Sequence, residues 1–184
     1  KSVLPKQSQL TVKVNTLALW RQREAITHLK LAPALSQKPL LDLLKNREQQ
    51  KWPNFLPIDG RKLEWSVLKD IGFDGCKEQR EFVAKALATP DFAILDGPPG
   101  TGKTTTILEL IVQLARKGKR ILLTASTHAA INNVLERIDD HGLKGEVFPL
   151  RIGDEARAVG VEHHQYEQVK NDFNNTVDVN DIDQ

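Results

Sequence analysis

The sequence predicts an α/β architecture, a partial parallel sheet flanked by helices and preceded by a mainly helical N-terminal segment. Three observations carry this prediction. Short apolar runs alternate with segments of helical period between Lys77 and Leu150. A glycine-rich loop stands between one such run and one such segment. Residues 1–74 show helical spacing interrupted by prolines, whereas residues 75–184 carry the alternation.

Taken in order, Leu19, Trp20, Arg23, Ile26 and Leu29 recur at spacings of three and four, which predicts an amphipathic helix ending before Pro33. Leu40, Leu41, Leu43 and Leu44 predict a short second helix. The run from Trp52 to Leu68 contains Pro53, Pro57 and Gly60 and reads as loop with a brief strand or turn. Gly72–Gly75 lies near the join of the two regions. Beyond it, Lys77–Leu87 places Phe82, Val83, Ala86 and Leu87 on one side of a helix that Thr89-Pro90-Asp91 ends. Phe92-Ala93-Ile94-Leu95 reads as a strand. After the loop comes a helix with Ile107, Leu110, Ile111 and Leu114 inward, closed by Arg116-Lys117-Gly118. Ile121-Leu122-Leu123-Thr124 is the next expected strand. Thr127 caps a helix whose inward face is Ile131, Val134, Leu135 and Ile138, and Val147-Phe148-Pro149-Leu150 is the third expected strand. Strand–helix–strand–helix–strand implies right-handed crossovers and a parallel sheet.

Composition narrows the class of protein. Apolar residues make up 40% and charged residues 27% of the 184, a balance that supports a packed core and argues against disorder. No apolar run approaches the roughly 20 residues that cross a bilayer, and Lys1-Ser2-Val3-Leu4-Pro5 lacks the apolar stretch of a signal peptide. Cys76, the single cysteine, has no internal disulfide partner, which favours a reducing, intracellular compartment: cytoplasm, or nucleus in a eukaryote. A net charge of +2 does not decide for or against a polyanionic partner. Methionine is absent, so the sequence is expected to be a piece of a longer chain.

The most specific chemistry lies at Gly97-Pro98-Pro99-Gly100-Thr101-Gly102-Lys103-Thr104, which fits G-x-x-x-x-G-K-[ST] at every fixed position. Glycines let the backbone wrap a phosphate with several N–H groups pointing inward. The helix beginning near Lys103 adds the positive end of its dipole. Lys103 is expected to reach the β- and γ-phosphates of ATP, and the Thr104 hydroxyl to bind Mg²⁺. The expected nucleotide set is Gly97 through Thr104, extended by Thr105. The competing reading is a glycine-rich turn that binds nothing.

The segments Cys76-Lys77-Glu78-Gln79-Arg80-Glu81-Phe82-Val83, GPPGTGKTTT and ILLTASTHAAINNVLERI together resemble superfamily 1 helicases, most closely the up-frameshift-like branch, whose members act on RNA or DNA. The resemblance covers about Gly75–Gly153. More weakly, Trp20–Ala25 and Pro39–Leu44 are similar to the stalk segments that precede such cores. The resemblance implies a RecA-like P-loop NTPase fold for the motor domain, and it gives Gln79 the role of reading the adenine base. A side-chain amide suits that task because it both donates and accepts. The resemblance also implies that Ser126, Thr127 and His128 contact a single strand of RNA or DNA. Hydroxyls and backbone N–H groups at a helix start can serve a nucleic-acid phosphate. Ordinary capping by Thr127 and a solvent-exposed helical Gln79 are the plainer alternatives.

Hydrolysis also requires a carboxylate for the Mg²⁺ shell and an arginine for the transition state. The resemblance assigns these to an acidic (Walker B) box and a second motor domain, neither visible in the sequence. Asp154-Glu155-Ala156 imitates the box, but Leu150-Arg151-Ile152-Gly153 before it is not an uninterrupted buried strand, so a surface turn is expected. The polar tail Asn171–Gln184 reads as a connection, and His163 and His164 as surface residues. Three functions follow: an ATP-dependent helicase or translocase on single-stranded nucleic acid, a non-translocating P-loop ATPase switch, or a module that binds nucleotide without turnover.

Overall fold

In a computed structural model of the chain, residues 16–45, 58–89 and 92–180 are described. They fall into two compact units divided between Pro53 and Asn54. In the first unit, helix α1 spans Leu17–Leu31 and helix α2 spans Lys38–Lys45, joined through a 3-10 turn at Leu35–Gln37. The α1 chain closes with the Ala32 N–H donating to the His28 carbonyl, just before Pro33. Its apolar spacing forms the expected helix, yet no side chain of α1 is buried. The expected loop over Trp52–Leu68 lies partly outside the described residues, as do Pro90 and Asp91.

Among its described residues, the second unit is built on four α-helices: α3 at Cys76–Ala88, α4 at Lys103–Arg116, α5 at His128–Asp140 and α6 at Tyr166–Asn180. Helix α4 is shared by two apolar clusters. Leu108, Ile111 and Val112 pack with Val134, Leu135 and Ile138 of α5 and with Leu143, Val147, Ala158 and Val161. Leu110 packs against the other cluster, formed by Leu68, Cys76 and Val83 with Trp65 and Leu87. Each such burial stabilises by about 1.5–3 kcal/mol relative to exposure, so the helices are held by packing more than by local propensity. Thr127 caps α5 as expected, its Oγ1 accepting from the Ala130 N–H at 3.3 Å.

The expected parallel sheet is not found. Among the described residues there are no strands, only one isolated parallel bridge between Arg151 and Gln165. Segments 92–95, 121–124 and 147–150 are non-helical, and Ile94, Leu122 and Phe148 are largely exposed. The α/β, RecA-like assignment is therefore corrected to a helical architecture. The physical reason lies in what a strand requires. A helix closes its hydrogen bonds locally, whereas a parallel strand has none until neighbours align, and four-residue runs offer few such bonds. Within the tail, α6 runs to Asn180, so the segment read as a connection is helical as far as it is described, with 181–184 outside the described residues.

In place of a sheet, side chains clamp the segment 64–69. The carboxyl of Glu109, fully buried on α4, accepts from three successive backbone N–H groups: Ser66 at 3.1 Å, Val67 at 2.7 Å and Leu68 at 2.9 Å. One turn on, Gln113 donates to Glu109 at 2.8 Å and to the Glu64 carbonyl at 2.7 Å. Arg116 follows on the same face. It donates to the Glu64 carbonyl, to Ser66 Oγ and to Glu146. That last bond and the guanidinium charge hold the Glu146 carboxyl below the usual range. From α3, Arg80 donates to the Leu68 and Lys69 carbonyls while lying 4.7 Å over the Trp65 ring.

His164 is a second correction: read as a surface residue, it is only 5% exposed, and its Nε2 lies 3.1 Å from the Asp139 carboxyl oxygens. Burial pushes its pKa below the ordinary imidazole value of 6.5, opposed by the Asp139 charge and assisted by His163.

Two outcomes are expected. Glu109→Ala leaves three backbone donors without their acceptor and should cost about 3–5 kcal/mol in denaturant unfolding, with Glu109→Gln intermediate. For His164, the folded state disfavours the protonated ring. Its contribution is present above pH 6.5 and is lost as pH falls through the lowered folded value. Tm should therefore fall between about pH 7.5 and about pH 5, and His164→Gln should flatten that slope. A wild-type Tm independent of pH over that range would contradict this reading.

Candidate nucleotide site

The loop between Asp96 and Lys103 is shaped by its own hydrogen bonds. Asp96 Oδ1 accepts from the Gly97 N–H at 2.8 Å, and Thr101 Oγ1 donates to the Pro98 carbonyl at 2.9 Å. Gly100 and Gly102 have φ of +85° and +77°, the left-handed region in which a side chain is strained. Gly102 is constrained twice, because a Cβ there would lie 2.5 Å from Gln79 Nε2. It is also the N-cap of α4 and supplies no side-chain cap. The first-turn N–H groups of α4, starting at Lys103, are thus left for an external acceptor, with the dipole behind them.

Lys103 folds back over this loop. Its ammonium donates to the Gly97 carbonyl at 2.6 Å and the Pro98 carbonyl at 2.7 Å. Thr104, also half-buried, sits beside it on the first turn. Thr105 faces differently: its Oγ1 accepts from Arg137 of α5 at 3.3 Å. Gln79 comes from α3 and touches the same loop, its Nε2 donating to the Thr101 carbonyl at 3.0 Å. Its Oε1 is the one buried side-chain polar atom among the described residues with no hydrogen-bond partner. An unmet buried acceptor carries a cost that an incoming donor would relieve. Uncapped amides, a cation, a hydroxyl and an orphaned amide oxygen form a donor and acceptor set that fits a nucleotide. Pro99, Gly100 and Thr101 are exposed at the tip.

Ser126, Thr127 and His128 are exposed at the start of α5. Among the described residues, no hydrogen bond joins them to the phosphate loop. Instead, His128 is tied to a residue that the sequence reading passed over as a site residue. Arg151 is only 3% exposed and faces His128 Nδ1 at 3.3 Å through Nη2. The same guanidinium donates to Asn132 Oδ1 at 3.0 Å, Gln165 Oε1 at 2.8 Å and the carbonyls of Asp154 and Arg157 at 3.1 Å each. Since an arginine only donates, Nδ1 of His128 accepts and its proton sits on Nε2. A lone arginine in an otherwise apolar stretch gave no sign of this. The only available signal was the polar Asn132 on the inward side of the α5 pattern.

Asp154 is occupied within its own turn. Its carboxyl accepts from the Ala156 N–H at 3.1 Å and from Arg157 Nε at 3.3 Å. The 3-10 turn Glu155–Arg157 is exposed, as expected of a surface turn. No described helix is long and apolar enough to cross a membrane.

Comparison with known proteins agrees with the motifs. Residues 76–181 match the family model described as AAA domain. The chain is 40% identical over 105 residues to mouse DNA-binding protein SMUBP-2, covering 56% of this chain and 10% of that protein. It is 33% identical over 117 residues to the DNA replication ATP-dependent helicase/nuclease DNA2 of Xenopus laevis, covering 64% and 10%. It is 35% identical over 111 residues to the DNA polymerase alpha-associated DNA helicase A of Schizosaccharomyces pombe, covering 56% and 16%. The chain thus spans about a tenth to a sixth of the length of these relatives. No solved structure matches it. With more than half of its residues matched, the chain belongs to the AAA domain family, among the superfamily 1 helicases of up-frameshift-like type.

Proposed function

We infer that this chain is the nucleotide-binding part of an ATP-dependent helicase or translocase acting on single-stranded RNA or DNA. Residues 1–74 would be its stalk-like helical part and 75–184 its first motor part. The observation that carries this reading is the loop–helix junction. Two left-handed glycines deliver a cation and the uncapped N-terminus of a packed helix to one spot. The names of the relatives, which specify DNA binding and ATP-dependent helicase activity, support the nucleic-acid and ATP assignments.

In this reading the amides of Gly100–Thr105 and the Lys103 ammonium hold the phosphates of ATP, with Gly97, Pro98 and Pro99 shaping the loop. Gln79 meets the base through its unpartnered oxygen. Thr104 would offer its hydroxyl to Mg²⁺, which would supply positive charge against the phosphates. Lys103 would exchange two carbonyl acceptors for phosphate oxygens. Ser126, Thr127 and the Nε2–H of His128 would donate to the phosphates of the strand.

Charge-assisted hydrogen bonds are worth about 1.5–3 kcal/mol. Lys103→Ala should therefore weaken ATP binding by about ten- to a hundredfold in a calorimetric titration, with a wild-type circular dichroism spectrum showing that the variant is folded. Equal affinity in the variant would remove the cradle role. In the whole protein, ATP turnover should rise when single-stranded RNA or DNA is added. Turnover that ignores both polymers would reduce the reading to a nucleotide switch.

A further inference from the structure

Away from the nucleotide loop, three metal-binding side chains converge at the far end of α5. Asp139 lies in its last turn, and the 3-10 turn Glu162–His164 runs beside it. His163 Nε2 is 2.8 Å from Asp139 Oδ2, and His164 Nε2 is 3.1 Å from both oxygens of the same carboxyl. One ligand atom from each residue lies within 4.8 Å of the others. The two rings stand 4.0 Å apart at 45°, so their nitrogens converge without stacking flat.

A tetrahedral ion with bonds of about 2.0–2.1 Å separates its donors by roughly 3.3 Å. The oxygen–nitrogen distances fall short of that by roughly half an ångström or less and the ring nitrogens lie within 4.8 Å of each other, offsets that side-chain rotations recover. Burial is graded usefully. His164 is fixed in the core, Asp139 is half-buried and His163 is about half exposed, so the site is reachable from the His163 side. In the ion-free state the Nε2 of each ring faces a carboxyl that accepts, so each Nε2–H donates to Asp139, and an ion that takes Nε2 replaces that proton. Burial alone would raise Asp139, but Lys144 and the two imidazoles hold it below its usual value and so anionic. Lys144 Nζ, 3.3 Å from Oδ1 and 60% exposed, is the cation an ion would displace. Two imidazoles with one carboxylate disfavour Mg²⁺ and Ca²⁺, which take oxygen ligands.

The geometry points to a binding site for a divalent first-row transition metal ion, Zn²⁺ foremost, formed by Asp139, His163 and His164. The site stands apart from the nucleotide reading. An ion there staples the C-terminal end of α5 to the entry of α6, joining positions 25 residues apart in the chain.

The test uses the full chain, stripped with chelator, and titrates Co²⁺ by visible absorption with Zn²⁺ as competitor. The expected result is one ion per chain, displaced by Zn²⁺, together with a rise in Tm. His163→Ala and Asp139→Asn should each weaken binding by at least about tenfold, a loss that even an outer-shell partner can cause. His28→Ala should leave it intact. His163 is half exposed, so its variant should keep the wild-type circular dichroism spectrum, separating ligand loss from unfolding. Absence of saturable Co²⁺ binding would overturn the proposal. So would binding that both His163→Ala and Asp139→Asn leave unchanged, or binding lost in His28→Ala.

Discussion

The second unit depends on one buried carboxyl. Glu109 sits at the centre of α4 with no exposure, and its oxygens collect the N–H groups of Ser66, Val67 and Leu68. Three consecutive amides around one anion form a nest, and burial in a medium of low polarisability makes such bonds strong when complete and costly when broken. This contact places the segment before α3 against the helix that carries the phosphate loop. Leu68 then joins Cys76 and Val83 in the cluster under α3, and α3 in turn brings Gln79 to Thr101. The position of Gln79 at the loop is thus a consequence, several contacts removed, of where Glu109 lies.

Much of this was legible in the residues and some was not, for reasons that differ by element. Helices α3, α4 and α5 declared themselves because their apolar period is local and the packing rewards it. The loop declared itself because each fixed position answers a backbone or charge requirement. The strands over 92–95, 121–124 and 147–150 did not form a ladder, because an apolar run says only that a segment suits a sheet and not that partners align with it. The stripe Glu109, Gln113 and Arg116 has helical spacing too, but polar residues at such spacing ordinarily mark a solvated face. Only the facing carbonyls and amides of 64–68 turn it inward. His164 escaped because its polar neighbours in sequence hide a burial set by a distant residue, Asp139.

Arg151 shows the same limit at the start of α5. Its acceptors come from α5, from the turn at Glu155–Arg157 and from Gln165, and none is a carboxylate. A guanidinium buried among neutral acceptors is stabilised by the number and placement of its bonds, and that convergence is invisible until the chain is folded.

Under the proposed nucleotide-binding role, the resting place of the Lys103 ammonium has a consequence for speed and selectivity of loading. Perched on two carbonyls of its own loop, this side chain has already surrendered much of its freedom, so an arriving anion does not have to order it. What the anion must do is outbid neutral oxygens for a positive charge. A weakly charged visitor gains little by that exchange, while a polyphosphate gains a great deal, so the self-contact acts as a filter on charge density before any shape is read.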